Sequence, residues 1–443
     1  MASLSRWKRW WPSSHLAYVW LCVAIVSLAT LGHAGRWNNS NVFVFDSGGY
    51  YLYLTSKFIT NDMGDTSFGH ALRLAYRPDL DPNYGITALP NGKKVFFYPI
   101  GMSFFYSPWF GMAHAYALLG GAPATGYSVP YQVLVSLGGL AYALLGLWLL
   151  GLELRRYFAD HIAALTILVL GLGTNLFCYA TYEPTMAHAT LFMLNVLLLR
   201  STRRWYEQGD WVGALGLAAT FGFMMLVRPS EVLMAGVPVL WGLTSVAAVR
   251  QRIAYWTSHW QQVLAMVLLV GLIGSIQLLY WRTVGGSWFI EFYPGQKFDF
   301  TDPHILEGLF SVRKGWLFWS PLMAFGLLGI FWARYNAKAV IPALLVILPA
   351  FIYVIYSWWD WGYGGSFGSR PMISLYPALG LSMSSFWARW WHKLAWLLAL
   401  IILLLILLNI LQSWQYSIGL VNCCEENWEN YQKYFFDLDW PKN

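Results

Sequence analysis

The 443-residue chain is 58% hydrophobic and only 11% charged, and Phe, Trp and Tyr make up 18% of it. Soluble domains carry about 25% charged residues, so this composition excludes an ordinary soluble enzyme and predicts a protein that is solvated by lipid. The net charge of +7 does not indicate nucleic-acid binding, because the basic residues punctuate apolar runs, as in membrane proteins, and form no single patch.

The chain begins with three basic residues ahead of an apolar run. Arg6, Lys8 and Arg9 could belong to a signal peptide, but no small-residue cleavage site follows the run from His15, so we predict a retained first span. A crossing helix needs about 20 apolar residues. We predict an all-α polytopic membrane protein, a single transmembrane domain over residues 1–443. Its eleven predicted spans are 15–33, 128–150, 161–181, 185–199, 211–227, 231–249, 261–281, 316–333, 339–357, 371–388 and 394–417.

Positively charged connectors between the spans set the predicted orientation. If these connectors face the cytoplasm, that side holds 14 basic and 4 acidic residues, and the other side holds 14 basic and 17 acidic residues. The positive-inside rule then places the N-terminus inside and the C-terminus outside. The external side would carry a first loop over 34–127, loops over 282–315 and 358–370, and a short tail over 418–443.

The first external loop has two aromatic-rich stretches, 45–59 and 93–120, which we predict to be helices lying at the membrane interface. Asp46 opens the first stretch, between an apolar run and a pair of glycines. A carboxylate close to hydrocarbon is costly unless it has a task or a partner, and a general base needs such a partly desolvated position. The alternative is that Asp46 caps the N-terminus of the helix that follows.

Two more acidic residues fall at predicted outer ends of spans. Glu183 precedes Pro184, and His188 lies about one turn further on. The two side chains could share a metal ion, although a third ligand is missing, or Glu183 could simply complement a helix dipole. Arg228 and Glu231 interrupt an apolar run at another outer turn, where a local ion pair is the alternative to a binding role.

The external segments also collect cations and aromatic rings. Several basic residues could form a site for phosphate, although each alone is more often an interfacial anchor. In the stretch 357–371, Trp359 and Trp361 could stack on sugar rings and Arg370 could grip a phosphate, or the tryptophans could form an interfacial belt. The other external cations in this group are Lys93, Lys94, Arg282, Arg313 and Lys314.

Motifs for nucleotide binding are absent. The chain has no P-loop, GxGxxG, HExxH or GxSxG in a supporting context, so a sugar donor would be lipid-linked. The adjacent Cys423 and Cys424 could pair with each other or with a partner, or remain thiols, since spacing alone identifies no disulfide.

The order of these features resembles the GT-C superfamily of membrane glycosyltransferases, with bacterial protein O-mannosyltransferases and the lipid A aminoarabinose transferase as the nearest members. In that family an Asp follows the first span, often as Asp-Glu, with a Tyr four residues on; here these are Asp46 and Tyr50, and Ser47 replaces the Glu. The acidic-Pro motif is Glu183-Pro184, and Arg228 takes the place of a Lys. The interfacial Tyr-Pro-Pro-Gly motif reads Tyr98-Pro99-Ile100-Gly101, with Lys94 as the nearest substitute for the Lys beside the Pro.

The resemblance implies an inverting glycosyltransferase that moves a sugar from a polyprenyl-phosphate carrier to an acceptor glycan, lipid or protein at the external face. It implies Asp46 as the base, with Glu183 and His188 positioning acceptor or sugar. Because Ser47 replaces the Glu, a divalent metal is not expected. The implied phosphate ligands are Lys94, Arg228, Arg282 and Arg370, and the implied substrate contacts are Tyr50, Trp359 and Trp361.

The setting would be a bacterial inner or plasma membrane with the site on the periplasmic or extracellular side. Its partners would be the polyprenyl-phosphate sugar, the acceptor and membrane lipids, without nucleic acid. A transporter or flippase for lipid-linked sugars is the main alternative, although the inverted repeats of many transporters are not visible. A non-catalytic assembly subunit is a third interpretation.

Overall fold

The computed structural model describes residues 14–61, 63–64, 74–76, 79, 81, 83–291, 293, 295–422, 424 and 426–435. The predicted N-terminal charges and Cys423 lie outside these residues. Almost all of the described secondary structure is helical, and one two-stranded antiparallel sheet lies in the segment that follows the first long helix.

Seventeen α-helices and two strands are numbered in chain order. They are α1 (Ser14–Ala34), α2 (Phe45–Phe58), β1 (Ile86–Ala88), β2 (Lys94–Phe96), α3 (Gly101–Tyr116), α4 (Val129–Leu154), α5 (Asp160–Leu172), α6 (Leu176–Thr181), α7 (Ala187–Gln208), α8 (Trp211–Val227), α9 (Gly236–Leu240), α10 (Val246–Ser258), α11 (Trp260–Tyr280), α12 (Ile305–Phe310), α13 (Trp316–Trp319), α14 (Met323–Asn336), α15 (Ile341–Tyr356), α16 (Tyr376–Ser417) and α17 (Trp428–Tyr434). Short 3₁₀ segments cover Arg36–Asn39, Pro229–Ala235, Lys338–Val340 and Arg370–Leu375, and π-turns cover Ala117–Gly121 and Trp281–Gly285.

The chain is an integral membrane protein by the length and apolarity of its helices. Among the described residues, five helical stretches are long and apolar enough to cross a bilayer, so the predicted number of eleven spans is not confirmed. The five stretches are His15–Asn39, Val129–Leu154, Trp260–Gly285, Lys338–Tyr356 and Arg370–Ser417. Shorter apolar helices cover Asp160–Leu172, Trp211–Val227 and Pro229–Leu240.

The region 231–249 does not form the single continuous helix that we predicted. Helix α9 ends at Leu240, and Gly242 adopts a left-handed φ of 75° that turns the chain. Ser245 then caps α10, its side chain accepting a hydrogen bond from the Ala248 N–H at 3.1 Å. Helix α10 has no buried residues, so it lies on the surface of the bundle.

The structure also differs from the predicted spans in two other regions. The spans predicted over 371–388 and 394–417 join into the single helix α16, which runs through a kink at Leu394. The span predicted over 161–181 is instead divided into α5 and α6.

Polar side chains from distant helices satisfy the backbone at the break between α5 and α6. Asn409 Nδ2 donates to the carbonyls of Leu172 and Thr174 at 2.8 and 3.0 Å. Asn175 accepts from the Tyr376 hydroxyl at 2.6 Å, and its own Nδ2 donates to the Ser369 carbonyl at 3.1 Å. Unpaired carbonyls inside a membrane protein are costly, so these contacts make the break tolerable and tie it to the start of α16.

The described residues between α1 and α4 include α2, a β-hairpin and α3. The hairpin pairs Ile86 with Phe96 and Ala88 with Lys94. The stretch 45–59 is helical as predicted, whereas 93–120 begins as strand β2 and becomes helical only at Gly101. The predicted position of these helices at the membrane interface stays a prediction.

Close helix packing fixes the position of the Glu183-Pro184 turn. A Cβ atom added to Gly139 on α4 would lie 1.8 Å from the Pro184 carbonyl oxygen. The turn can therefore contact α4 only because residue 139 has no side chain.

We expect Gly139→Ala to lower the free energy of unfolding by about 1–3 kcal/mol, because overpacking displaces the turn or the helix. Gly271→Ala on α11 is the matched control, since an added Cβ there meets nothing within 4 Å. Thermal unfolding of the detergent-solubilised protein, followed by tryptophan fluorescence, measures both. Equal midpoints for the two variants would contradict the packing described for Gly139.

Candidate functional site

A cavity of about 940 Å³ opens where the predicted outer ends of several helices meet. Its walls come from the start of α2, the turn between α6 and α7, the end of α8 and the loop that precedes α16. Of the residues singled out in the sequence, Asp46, Tyr50, Glu183, His188, Arg228, Trp359 and Arg370 line it.

Asp46 lies in the first turn of α2, where it accepts hydrogen bonds from two tyrosines. The Tyr98 hydroxyl donates to Oδ1 at 2.7 Å and the Tyr84 hydroxyl at 3.4 Å, and the two hydroxyls are 2.8 Å apart. The N-cap residue of α2 is Val44, and Phe45 has a left-handed φ of 47°. The capping interpretation of Asp46 is therefore wrong, and the carboxylate faces the cavity.

An ion pair joins Asp46 to the loop between α15 and α16. Arg370 Nη2 lies 3.0 Å from Asp46 Oδ2, with side chains that are 11% and 22% exposed. Arg370 opens the 3₁₀ turn before α16, after the glycine-rich loop. The pair therefore holds the start of α2 against the loop before α16.

The tyrosines beside Asp46 remain hydrogen-bond donors at neutral pH. Burial, together with the negative charge of Asp46, raises the pKa of Tyr84 to about 12. The same two causes raise the pKa of Tyr98 above its usual value. Both groups stay protonated across the physiological range and hold the carboxylate in one orientation.

Arg228 at the end of α8 supplies a second guanidinium to the cavity. It lies over the Tyr363 ring, 5.2 Å from the centroid, and forms no ion pair with any residue that the structure describes. Glu231 is fully buried and instead accepts hydrogen bonds from Ser374 at 2.7 Å and Asn195 at 3.2 Å. The alternative that Arg228 and Glu231 form a local ion pair is therefore wrong, and the charge of Arg228 is open to an anion.

Glu183 pairs with a residue that the sequence analysis missed. Its Oε1 lies 3.4 Å from Arg36 Nη1 and accepts from the Tyr416 hydroxyl at 3.1 Å. Arg36 comes directly after the first span, on the same predicted side of the membrane as Glu183. That position was the sequence feature that could have indicated the pair. Since Arg36 is its partner, the carboxylate of Glu183 is not paired with His188.

His188 lies in the wall of the cavity at the start of α7. It is 4% exposed and contacts Tyr179 edge to face, with ring centroids 5.0 Å apart. Its Nδ1 is buried without a hydrogen-bond partner among the described residues. Within those same residues, no group of three or more His, Cys, Asp and Glu side chains converges on one point. The expectation about metals stays a prediction.

Three sequence candidates lie away from the cavity lining. Lys94 is exposed on β2. Arg282 donates to the Gly286 carbonyl at 2.7 Å and lies near the Trp288 ring. Trp361 packs instead against His304, with centroids 5.7 Å apart. Lys94 and Arg282 are thus not brought to Arg228 and Arg370.

Comparison with solved structures finds similar folds. No protein-family model matches the chain, and no curated protein sequence matches it. The fold is similar to a solved structure described as archaeal oligosaccharyltransferase AglB from Archaeoglobus fulgidus in complex with an inhibitory peptide and a dolichol-phosphate. The match has 13% identity and a TM-score of 0.49, and it covers 97% of this chain and 60% of that one. The contacts of the site itself therefore carry the argument for function.

The Asp46–Arg370 pair should be measurable as a coupling between two variants. We expect Asp46→Asn and Arg370→Gln to be non-additive by about 1–3 kcal/mol in the free energy of unfolding, because each alone leaves a partly buried charge without its partner. Arg370→Gln combined with Asp210→Asn, at the far end of α8, should be additive within about 0.5 kcal/mol. A double-mutant cycle from thermal unfolding tests this, and additivity of the first pair would contradict the ion pair.

Proposed function

We propose that the protein is an inverting glycosyltransferase that moves a sugar from a polyprenyl-phosphate carrier to an acceptor at the external face of the membrane, with its site on the periplasmic or extracellular side of a bacterial inner or plasma membrane. One observation carries the proposal: a carboxylate oriented by two tyrosines lies 3.0 Å from Arg370 in a cavity that Arg228 also lines. This arrangement offers a proton acceptor beside cations that can hold a phosphate.

The donor fits the lining of this cavity. Aliphatic and aromatic side chains form much of the wall and suit a prenyl chain. Guanidinium groups bind phosphate through paired hydrogen bonds, so Arg228 and Arg370 are the proposed phosphate ligands. Trp359 and Tyr50 are the proposed contacts of the sugar. The apolar wall residues include Leu31, Val44, Phe45, Phe97, Val232, Leu233, Phe298, Val354 and Trp358.

The proposed transfer is a single displacement. Asp46 takes the proton of the acceptor nucleophile, a bond forms from the acceptor to the anomeric carbon, and the bond from that carbon to the phosphate oxygen breaks on the opposite face. The electron pair leaves on the phosphate, where the two guanidinium groups stabilise the growing charge. The configuration at the anomeric carbon is therefore inverted.

The ion pair supports an order of events in the proposed reaction. In the absence of donor, Arg370 Nη2 lies 3.0 Å from Asp46 Oδ2 and occupies that oxygen. An incoming phosphate would compete for Arg370. Donor binding would thus free Asp46 Oδ2 to accept the proton of the acceptor nucleophile.

We expect Asp46→Asn to lower the rate of sugar transfer by about 10²–10⁴-fold, the usual contribution of a general base. The assay uses purified protein in nanodiscs and defined polyprenyl-phosphate sugars, with release of polyprenyl phosphate as the readout. Asp302→Asn, an exposed carboxylate, is the control and should keep full activity. Equal transfer by wild type and Asp46→Asn would remove Asp46 as the base, and lipid movement across liposomes without glycosidic chemistry would favour the flippase.

Donor affinity should depend on Arg228 and not on Arg282. Arg228→Gln is expected to raise the donor KM by roughly tenfold or more, since a charge-assisted hydrogen bond contributes about 1.5–3 kcal/mol. Arg282→Gln makes the same chemical change outside the cavity and should leave the donor KM unchanged. If the two variants behaved alike, the phosphate would not lie where we place it.

A further inference from the structure

We propose that a second cavity beside the first binds the acceptor, and that this acceptor is a neutral glycan. The inference rests on the proposed function and deepens it. The second cavity has a volume of about 800 Å³ and lies between the outer end of α1, the turn after α6 and the chain that follows α16.

The two cavities share a wall. Arg36, Tyr182, Glu183 and Tyr416 line both of them. Arg36 donates to the Tyr182 carbonyl at 2.8 Å and contacts Glu183, and the Tyr416 hydroxyl contacts the same Glu183 oxygen. A molecule in the second cavity would therefore contact the same Glu183 side chain that lines the first.

The shared wall also lies beside the proposed base. Glu183 lines the first cavity together with Asp46 and Arg370, and Arg370 Nη1 lies 4.0 Å from the sulfur of Met186, three residues after Glu183. A hydroxyl group presented at Glu183 from the second cavity would therefore enter the first cavity on the side of Arg370 and its partner Asp46. The second cavity thus has the position that an acceptor requires.

The lining of the second cavity matches a carbohydrate. An amide side chain offers donors and acceptors together, as neighbouring sugar hydroxyls require, and aromatic faces pack against sugar rings. The amides come from the end of α1 and from the chain after α16, so they approach from two sides. The amide residues include Asn39 and Asn430, and the aromatic residues are Tyr182, Trp414, Tyr416 and Tyr434.

Other occupants fit this lining less well. A prenyl or acyl chain would desolvate the amides without hydrogen bonds in return. An anionic group would be attracted only weakly. Glu183 already neutralises Arg36, and the side chain of Lys433 is exposed to solvent. Peptides are commonly held by a strand edge or an apolar groove, and the described lining residues lie in helices and turns.

Binding can be tested without any donor. Ser417 lines the second cavity and not the first, so Ser417→Trp should obstruct the second cavity and leave the first intact. Saturation-transfer NMR on the full chain in nanodiscs would screen neutral tetrasaccharides of hexoses, 6-deoxyhexoses and N-acetylhexosamines. We expect at least one to bind, and its Kd to rise by roughly tenfold or more in Ser417→Trp and in the double variant Asn39→Ala/Asn430→Ala, which loses about two neutral hydrogen bonds.

The control for binding is Asn336→Ala, which removes an exposed amide at the end of α14 and should leave the Kd unchanged. Saccharide binding that is equal in wild type and in both cavity variants would overturn the proposal, as would the absence of binding by every saccharide in the panel.

Transfer gives a second, separate readout. With a polyprenyl-phosphate sugar present, the cavity variants should raise the KM for the glycan and leave the KM for the donor unchanged. Transfer to peptides or lipids but to no saccharide would overturn the glycan assignment while leaving the proposed function in place. If wild type released no polyprenyl phosphate with any acceptor, the proposed function would fail, and the NMR measurement would still decide whether the cavity binds saccharides.

Discussion

The ion pair between Asp46 and Arg370 is the contact on which the site depends. It joins the segment after the first span to the loop before the last long helix, so the cavity closes only when these two distant parts of the chain meet. Tyr84 and Tyr98 fix the carboxylate from the other side. Charge attraction in a partly desolvated setting thus gives the loops a defined arrangement that apolar packing alone would not specify.

In the proposed reaction, the same pair would separate the resting protein from the reacting one. While Arg370 neutralises Asp46, the cavity holds a charge-balanced couple, with Arg228 as an additional cation. A phosphate changes that balance because it competes with the carboxylate for the guanidinium group. In this scheme the donor is both substrate and activator, which would limit proton abstraction to complexes that already hold the sugar.

The sequence predicted which charged residues line the cavity better than it predicted their partners. Asp46 and Arg370 stand out as charges next to apolar helix ends, and that pattern is local. The pairing of Arg36 with Glu183 needs the bundle to fold, and no local spacing encodes it. Lys94 lies outside the cavity lining, on a strand that pairs with β1, whereas the whole stretch 93–120 was predicted to be helical. Spans were located by apolarity, which reports burial in lipid but not where a helix breaks or continues.

The break between α5 and α6 has a consequence for biosynthesis. The carbonyl of Leu172 is satisfied by Asn409, which is synthesised 237 residues later. Until that side chain arrives, the interrupted backbone must find temporary partners in the translocon, in water or in lipid headgroups. The break therefore gains its two hydrogen bonds from Asn409 only after α16, which carries this residue, has been inserted.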